Sequence, residues 1–246
     1  MSVYIGIFDN ISLALFGLFV LFTFILLLYY WFIFSRVAFR KSAPPNANMA
    51  KPPVSVVICA RNEYENLRNF LPEILDQEYP EFEVILVNDF SEDDSFFLLK
   101  SFQEKYPNFK VINLRENINF FSGKKLALAL GIKSAQNEIV LLTDADCRPI
   151  GKRWIDSMTG YFDNNTNIVL GYGGYEKLPG LLNALIRFDT ITIAMQYMGF
   201  ALAGMPYMGV GRNLAYKKSF FFKSGGFTSH YKIPSGDDDL FVNGAA

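Results

Sequence analysis

The chain of 246 residues holds two cysteines and a single histidine. Cys59 and Cys147 suit neither a disulfide framework nor a CxxC zinc site, and they agree with a reducing compartment. With His230 alone, a histidine-based zinc centre or a Ser-His-Asp triad lacks its parts. Net charge is missing as well: 23 Lys and Arg balance 24 Asp and Glu, leaving −1, which argues against a nucleic-acid partner. Glycine-rich phosphate loops are also absent. No GxxxxGK[ST] occurs, and GYGGY (171–175) and GVGRN (209–213) do not follow GxGxxG.

What the chain has in excess is apolar sequence, at 51% of residues. Much of it is concentrated in ISLALFGLFVLFTFILLLYYWFIF (11–34), with no charge between Asp9 and Arg36. As a helix this run is about 36 Å long, enough to cross a hydrocarbon layer of about 30 Å with some tilt. Tyr29, Tyr30 and Trp31 fall where an aromatic belt sits. A signal peptide is the competing reading, but it requires basic residues first, a shorter run and a small-residue cleavage site. The expectation is a retained anchor in the cell (inner) membrane. Arg36, Arg40 and Lys41 then place residues 1–10 outside and the domain beyond the span in the cytoplasm.

Residues 35–53, with SAPPNANMAKPP at 42–53, read as a linker. An alternation follows. VSVVICA (54–60), FEVILVND (82–89), KVINLREN (110–117) and NEIVLLTDAD (137–146) are expected strands. Helical patterns lie between them at 60–75, 93–106 and 123–135, with Pro72 as a kink or reset in the first. This order predicts an α/β, Rossmann-like, mostly parallel sheet with helices on both faces, and a ligand beyond the carboxyl ends of the strands. Ala60 to Glu63, Asn88 to Asp89, and Asp144 to Asp146 all fall at those ends. Residues 167–175 read as a further strand. LLNALIRFDTITIAMQYMGFALA (181–203) is long enough to span a bilayer, but Asn183, Arg187, Asp189 and Gln196 favour a helix lying on the membrane or against the domain.

Residues two apart in an extended segment share a side, so Asp144 and Asp146 are expected to face one site together. Two hard oxygen donors suit Mg²⁺ or Mn²⁺, which take further ligands from water and substrate phosphates. Such an ion would relieve the repulsion between them; the bland alternative is a solvated acidic turn. Asp89 is placed to accept from a base or ribose hydroxyl, or to cap a turn, and Lys124 to meet phosphate or base, or to stand as an exposed first-turn lysine. Cys59 reads as a small buried residue and Cys147 as a packing residue.

Taken in order, VSVVICARNEYENL, VILVNDFSEDDS, GKKLALALGI, IVLLTDADCRP, GVGRNLAYKKS and SGDDDLF resemble a family 2 glycosyltransferase of the GT-A fold, of the membrane-anchored bacterial cell-surface-glycan type. The resemblance covers residues 54–242. It implies a nucleotide-sugar donor, commonly a UDP-sugar, inversion at the anomeric carbon, and a glycan or lipid-linked acceptor. It divides the domain into a nucleotide-binding half (54–146) and an acceptor-binding half (147–246). Ala60, Arg61, Asn62, Glu63 and Asp89 are implied for the nucleotide, with Lys124 nearby. Asp144 and Asp146 become the metal motif, Asp146 the more direct ligand. SGDDDLF matches the family's acidic base motif; alignment on Leu240 selects Asp237, and a shift by one selects Asp238. Residues 204–216 would border the acceptor, or serve as turn and packing positions. Processive relatives carry a Gln-x-x-Arg-Trp motif and C-terminal membrane helices further on, which are absent; either the natural chain continues past Ala246, which its abrupt end favours, or the enzyme works without them. Two alternatives stand beside this reading: a noncatalytic nucleotide-sugar-binding subunit, and a phosphatase whose DxD ends a strand.

Overall fold

The computed structural model describes residues 2–40, 51–114, 124–233 and 235–245. The chain divides into two compact units, Met1–Lys41 with Glu176–Pro206, and Ser42–Tyr175 with Tyr207–Ala246.

The first unit is helical. Helix α1 (Ser2–Tyr29) runs through a π-type turn at Tyr30–Phe34 into α2 (Ser35–Ala38). Leu13, Phe16, Phe19 and Leu27 on α1 are all exposed, as are the other residues of 11–28, so this apolar run has little protein cover. Among the described residues, Asp9–Ala38 is the single stretch long and apolar enough to cross a membrane. The unit's remaining helix, Leu181–Leu202, follows β5 in the chain and is taken up below.

The second unit is built on β1 (Val54–Ala60), α3 (Tyr64–Leu75), β2 (Phe82–Asp89), α4 (Ser95–Lys105), β3 (Phe109–Leu114), α5 (Lys124–Ser134) and β4 (Ile139–Asp144). Next come α6 (Trp154–Thr159) and β5 (Ile168–Leu170); then α7 (Leu181–Leu202) belongs to the first unit. The second unit resumes with β6 (Leu214–Lys217), α8 (Lys218–Lys223) and α9 (Asp239–Ala245). The six strands run in the order β3-β2-β1-β4-β6-β5. The β1–β2, β1–β4 and β2–β3 pairs are parallel, whereas β6 is antiparallel to both β4 and β5.

Side-chain alternation divides the core between the faces of the sheet. Val54, Val56, Ile58, Val84 and Leu86 pack with Leu67, Leu71 and Ile74 of α3 and Leu99 of α4. Val57, Ile85, Val140 and Leu142 turn the other way, onto Leu128 and Ile132 of α5 and a cluster with Tyr216, Phe221 and Phe241. Each such buried aliphatic side chain stabilises the fold by about 1.5–3 kcal/mol. Helix α5 lies close on the sheet at Gly131, where a Cβ would come within 2.5 Å of Val57 Cγ1. Glu83 answers the buried polar groups near the starts of the strands, accepting from Ser55 Oγ at 2.7 Å, Lys110 Nζ at 2.6 Å and the Gln136 amide at 2.7 Å.

Several boundaries differ from expectation. Helix α3 starts at Tyr64 because residues 61–63 form the loop leaving β1, and it runs through Pro72, whose carbonyl accepts from Asp76 N at 2.9 Å. Strand β4 ends at Asp144, so Asp146 lies in a turn, and β5 is only three residues long. Residues 115–117 of the third expected strand, and most of the expected linker, lie outside the described residues.

Candidate active site at the carboxyl ends of the parallel strands

The strand order makes a crevice. The chain steps outward from β1 to β2 to β3, then returns through α5 to β4 on the other side of β1. Loops leaving β1 and β4 therefore diverge, which is the ligand position in open α/β sheets. Ala60 pairs in register with Asn88, and Cys59 with both Val87 and Asp144, so Ala60, Asp89 and Asp144 end neighbouring strands at one level.

The loops after β1 and β2 are stitched together. The Asn62 amide donates to Ser91 Oγ at 2.9 Å, the Glu92 amide to Asn62 Oδ1 at 2.8 Å, and the Tyr64 amide to Asp93 Oδ2 at 3.0 Å. Asn62 (φ 55°) and Phe90 (φ 56°) both take the left-handed conformation. Asn tolerates it; for Phe it is an outlier that surrounding bonds must enforce. Arg61 is exposed. Glu63 accepts from Asn66 Nδ2 at 2.6 Å, which holds its carboxylate at the start of α3. Asp89 is half-buried at the end of β2.

At the end of β4 the two carboxylates meet through a turn, not through strand alternation. The Cys147 amide donates to Asp144 O at 3.2 Å, and the ligand atoms of Asp144, Asp146 and Cys147 lie within 4.8 Å of one another. Cys147 Sγ donates to Asp146 Oδ1 at 3.4 Å. Burial, then the Asp146 and Asp144 charges, push the Cys147 thiol up to about 12, so it stays protonated near neutrality. Asp144 and Asp146 offer a pair of carboxylates, which fits a hard divalent ion such as Mg²⁺ or Mn²⁺, with the Cys147 sulfur alongside them. Lys124, the first residue of α5, forms an ion pair with Asp144. Burial would lower its pKa; the charge and hydrogen bond of Asp144 and the charge of Asp237 outweigh burial and hold it above the ordinary lysine value.

That coupling brings in the far end of the sequence. Burial pushes the Asp237 carboxyl up, the Lys124 charge opposes this, and the Asp238 and Asp144 charges add to it. Asp238 is committed to backbone, accepting from the Gly211 amide at 2.5 Å and the Asp239 amide at 3.0 Å. Asp239 opens α9, and burial with the Asp238 and Asp237 charges pushes it up to about 6. Gly236, at φ 77°, supplies the left-handed turn before the acidic run. Cys59 is a packing residue, its thiol pushed up to about 12 by burial.

Three supporting residues were not singled out by the sequence reading, although two of them lie in its 204–216 segment. Lys125 is buried, and its ammonium donates to the carbonyls of His230 (3.0 Å), Ile233 (2.7 Å) and Ser235 (2.8 Å), gripping the segment that leads into Asp237. Its phase on the apolar 125–128–132 stripe was a signal for this. Asn213 accepts from Trp154 Nε1 at 3.0 Å and donates to Tyr172 O at 3.0 Å, linking the start of α6 to the segment after β5. Arg212 lies over the Tyr175 ring at 5.3 Å, and its charge lowers the Cys147 thiol. No sequence pattern announces these pairings.

Such a sheet, with a crevice beyond its carboxyl ends, defines the class of open α/β ligand-binding folds. The family model for glycosyl transferase family 2 matches residues 55–221, and the chain belongs to that family. It is 30% identical over 230 residues to the probable glycosyltransferase YdaM of Bacillus subtilis, covering 82% of this chain and 51% of that protein. It is 33% identical over 119 residues to the poly-beta-1,6-N-acetyl-D-glucosamine synthase of Staphylococcus epidermidis, covering 48% of this chain and 28% of that one. The mannosyltransferase PcManGT of Pyrobaculum calidifontis, solved with GDP-Man and Mn²⁺, has a similar fold at TM-score 0.65 and 22% identity, covering 87% of this chain and 56% of that one. TarS 1-349 of S. aureus, solved with UDP-GlcNAc, follows at TM-score 0.53 and 20% identity, covering 78% of this chain and 53% of that one. The fold is GT-A, and the chain spans about half the length of YdaM and PcManGT.

Proposed function

We propose that the chain is the catalytic part of a membrane-anchored, inverting glycosyltransferase. It moves a sugar from a nucleotide-diphosphate donor, most simply a UDP-sugar, to a hydroxyl of a glycan or lipid-linked acceptor. The observation that carries the reading is the convergence of the Asp144–Asp146 turn, Lys124 and Asp237 beside the strand-end loops. The ligands of PcManGT and TarS, GDP-Man with Mn²⁺ and UDP-GlcNAc, support a nucleotide sugar in the same fold.

In this mechanism Ala60–Glu63 and Asp89 hold base and ribose. Asp146 and Asp144 would hold Mg²⁺ or Mn²⁺, which supplies Lewis-acid neutralisation of a diphosphate leaving group. Lys124 adds a fixed positive charge beside that pair. Asp237 takes the proton of the acceptor hydroxyl as its oxygen bonds to the anomeric carbon, on the face opposite the breaking bond to the diphosphate. Its raised pKa suits a general base, and Asp238 keeps the loop in place through Gly211. Helix α1 is the anchor, exposed and apolar around its circumference.

Calorimetric titration with UDP, GDP, CDP and ADP, with and without Mn²⁺, tests this. Metal-dependent preference for one diphosphate, lost in Asp144→Asn/Asp146→Asn, is the expected result. Equal, metal-independent binding of all four to folded protein would refute the donor site.

A further inference from the structure

Helix α7 leaves a large apolar surface outside the protein. Leu181, Leu185, Phe188 and Ile191 follow one another at helical spacing and are all exposed, Leu181 at 76% and Phe188 at 69%, with Leu182 beside them at 71%. Asn183, Arg187, Thr190, Ala194 and Tyr197 form the opposite, less exposed side, and Thr190, Ala194 and Tyr197 are buried. A surface helix facing water has its polar side out; here the exposed side chains are mostly apolar, with Asp189 the one exposed charge among them.

Within its own unit, α7 is tied to the residues that leave the apolar span. Gly199 lies so close to Ile33 that a Cβ would stand 2.7 Å from the Ile33 carbonyl oxygen. Phe200 meets Tyr29, ring to ring, at 6.2 Å. The Arg36 guanidinium donates to Leu202 O at 3.3 Å and so neutralises the carbonyl end of α7. The C-terminal end of α7 is therefore held level with Tyr29–Arg36, where aromatic residues give way to basic ones, the pattern of a membrane–water boundary. In sequence α7 interrupts the second unit between β5 and β6, yet it clusters with the N-terminal helix.

We infer that α7 lies in the plane of the membrane interface, with the Leu181–Leu185–Phe188–Ile191 face in lipid. The inference rests on the reading of α1 as a bilayer span. Asn183, Arg187 and Asp189 decide between lying in and crossing: charges are costly at the bilayer centre, whereas at headgroup depth they stay hydrated. Asn183 is also used locally, accepting from the Leu178 amide at 2.9 Å and donating to Glu176 O at 3.1 Å. Lipid, and not a second copy, fits because α7 is tied at Gly199, Phe200 and Leu202 to the end of the apolar span, and the hydrocarbon that would cover α1 is then at hand for α7.

The test uses the full chain in phosphatidylcholine–phosphatidylglycerol vesicles with brominated acyl chains, which quench tryptophan on contact. Trp154→Phe leaves Trp31 as reporter of the anchor. Trp31→Phe/Trp154→Phe/Phe188→Trp reports α7, and Leu185→Trp in the same background repeats the measurement one turn away. Phe188 and Leu185 are exposed, so neither change disturbs packing. Expected is loss of most of the fluorescence by bromolipid at Trp31, Phe188→Trp and Leu185→Trp, with little effect of aqueous iodide. Quenching of Trp31 by lipid but of Phe188→Trp by iodide overturns the inference and leaves the anchor standing. Shielding of Phe188→Trp from both quenchers, lost on dilution of protein into excess lipid, assigns the face to a second copy and also overturns it. If Trp31 itself escapes bromolipid, the anchor reading fails and the inference falls with it.

Discussion

Lys125→Met should damage catalysis while sparing the donor site. The Lys125 ammonium makes three hydrogen bonds, at 3.0, 2.7 and 2.8 Å, to carbonyls of the segment before Asp237. Hydrogen bonds to a charged group are each worth about 1.5–3 kcal/mol, but burying an ammonium costs several kcal/mol, which offsets much of that total. After the substitution the exposed Ile233 and Ser235 regain water, whereas the carbonyl of buried His230 does not. One unsatisfied buried carbonyl plus the lost clamp amounts to about 2–3 kcal/mol. At about 2–4 °C per kcal/mol for a domain of this size, Tm should fall by roughly 4–12 °C. The chemical effect should be larger, because displacing a catalytic group by about 1 Å can cost about 10²-fold in rate. Thermal melts, donor calorimetry and transfer kinetics measured on one preparation check this. Expected are a lower Tm, unchanged donor affinity, kcat reduced by about 10–100-fold, and partial recovery in Lys125→Arg. An unchanged kcat, or donor affinity falling in proportion to kcat, would refute the positioning role.

Asp237→Asn should lower kcat by about 10²–10⁴-fold with donor binding retained, as expected for loss of a general base; Asp238→Asn should instead act through the loop at Gly211 and lower Tm. For the wild type, kcat/KM should fall as pH drops through a value above the ordinary aspartate pKa, since Asp237 is raised and must be deprotonated to accept a proton. Asp239, raised from 3.8 to about 6, contributes stability that is present below the lower value and lost as pH rises through the upper one. Asp239→Asn should therefore raise Tm at pH 7 more than at pH 4, read by paired melts. Gly131→Ala sets a helix gain of about 1 kcal/mol against overpacking of about 1–3 kcal/mol. With Val57 Cγ1 at 2.5 Å in the fully buried centre of the sheet, overpacking should win and Tm should drop by several degrees.

The local parts were legible because they follow from short-range pattern. Strands β1, β2 and β4 are dominated by Val, Ile and Leu, and such stretches have few stable homes other than the middle of a parallel sheet. The polar residues that end them, Ala60–Glu63, Asp89 and Asp144–Asp146, are conspicuous because a buried strand has no place for them. The apolar run before Arg36 is recognisable by length alone. What the sequence could not carry is pairing across distance. That Lys124 takes Asp144 while its neighbour Lys125 turns to His230, Ile233 and Ser235 depends on the angle at which α5 lies on the sheet, and Gly131 permits that angle. That Asp238 is bound by Gly211 while Asp237 is coupled to Lys124 follows from a left-handed turn at Gly236. Even the acidic pair was reached by the wrong geometry, since a turn and not strand alternation unites it. For α7, composition left three homes open; burial of Thr190, Ala194 and Tyr197 and contact with Ile33 and Arg36 belong to the folded chain alone. Composition and periodicity determine which residues leave water, because that depends on each side chain and its immediate neighbours. Which charged groups then meet depends on helix and strand placement, and only the tertiary structure decides it.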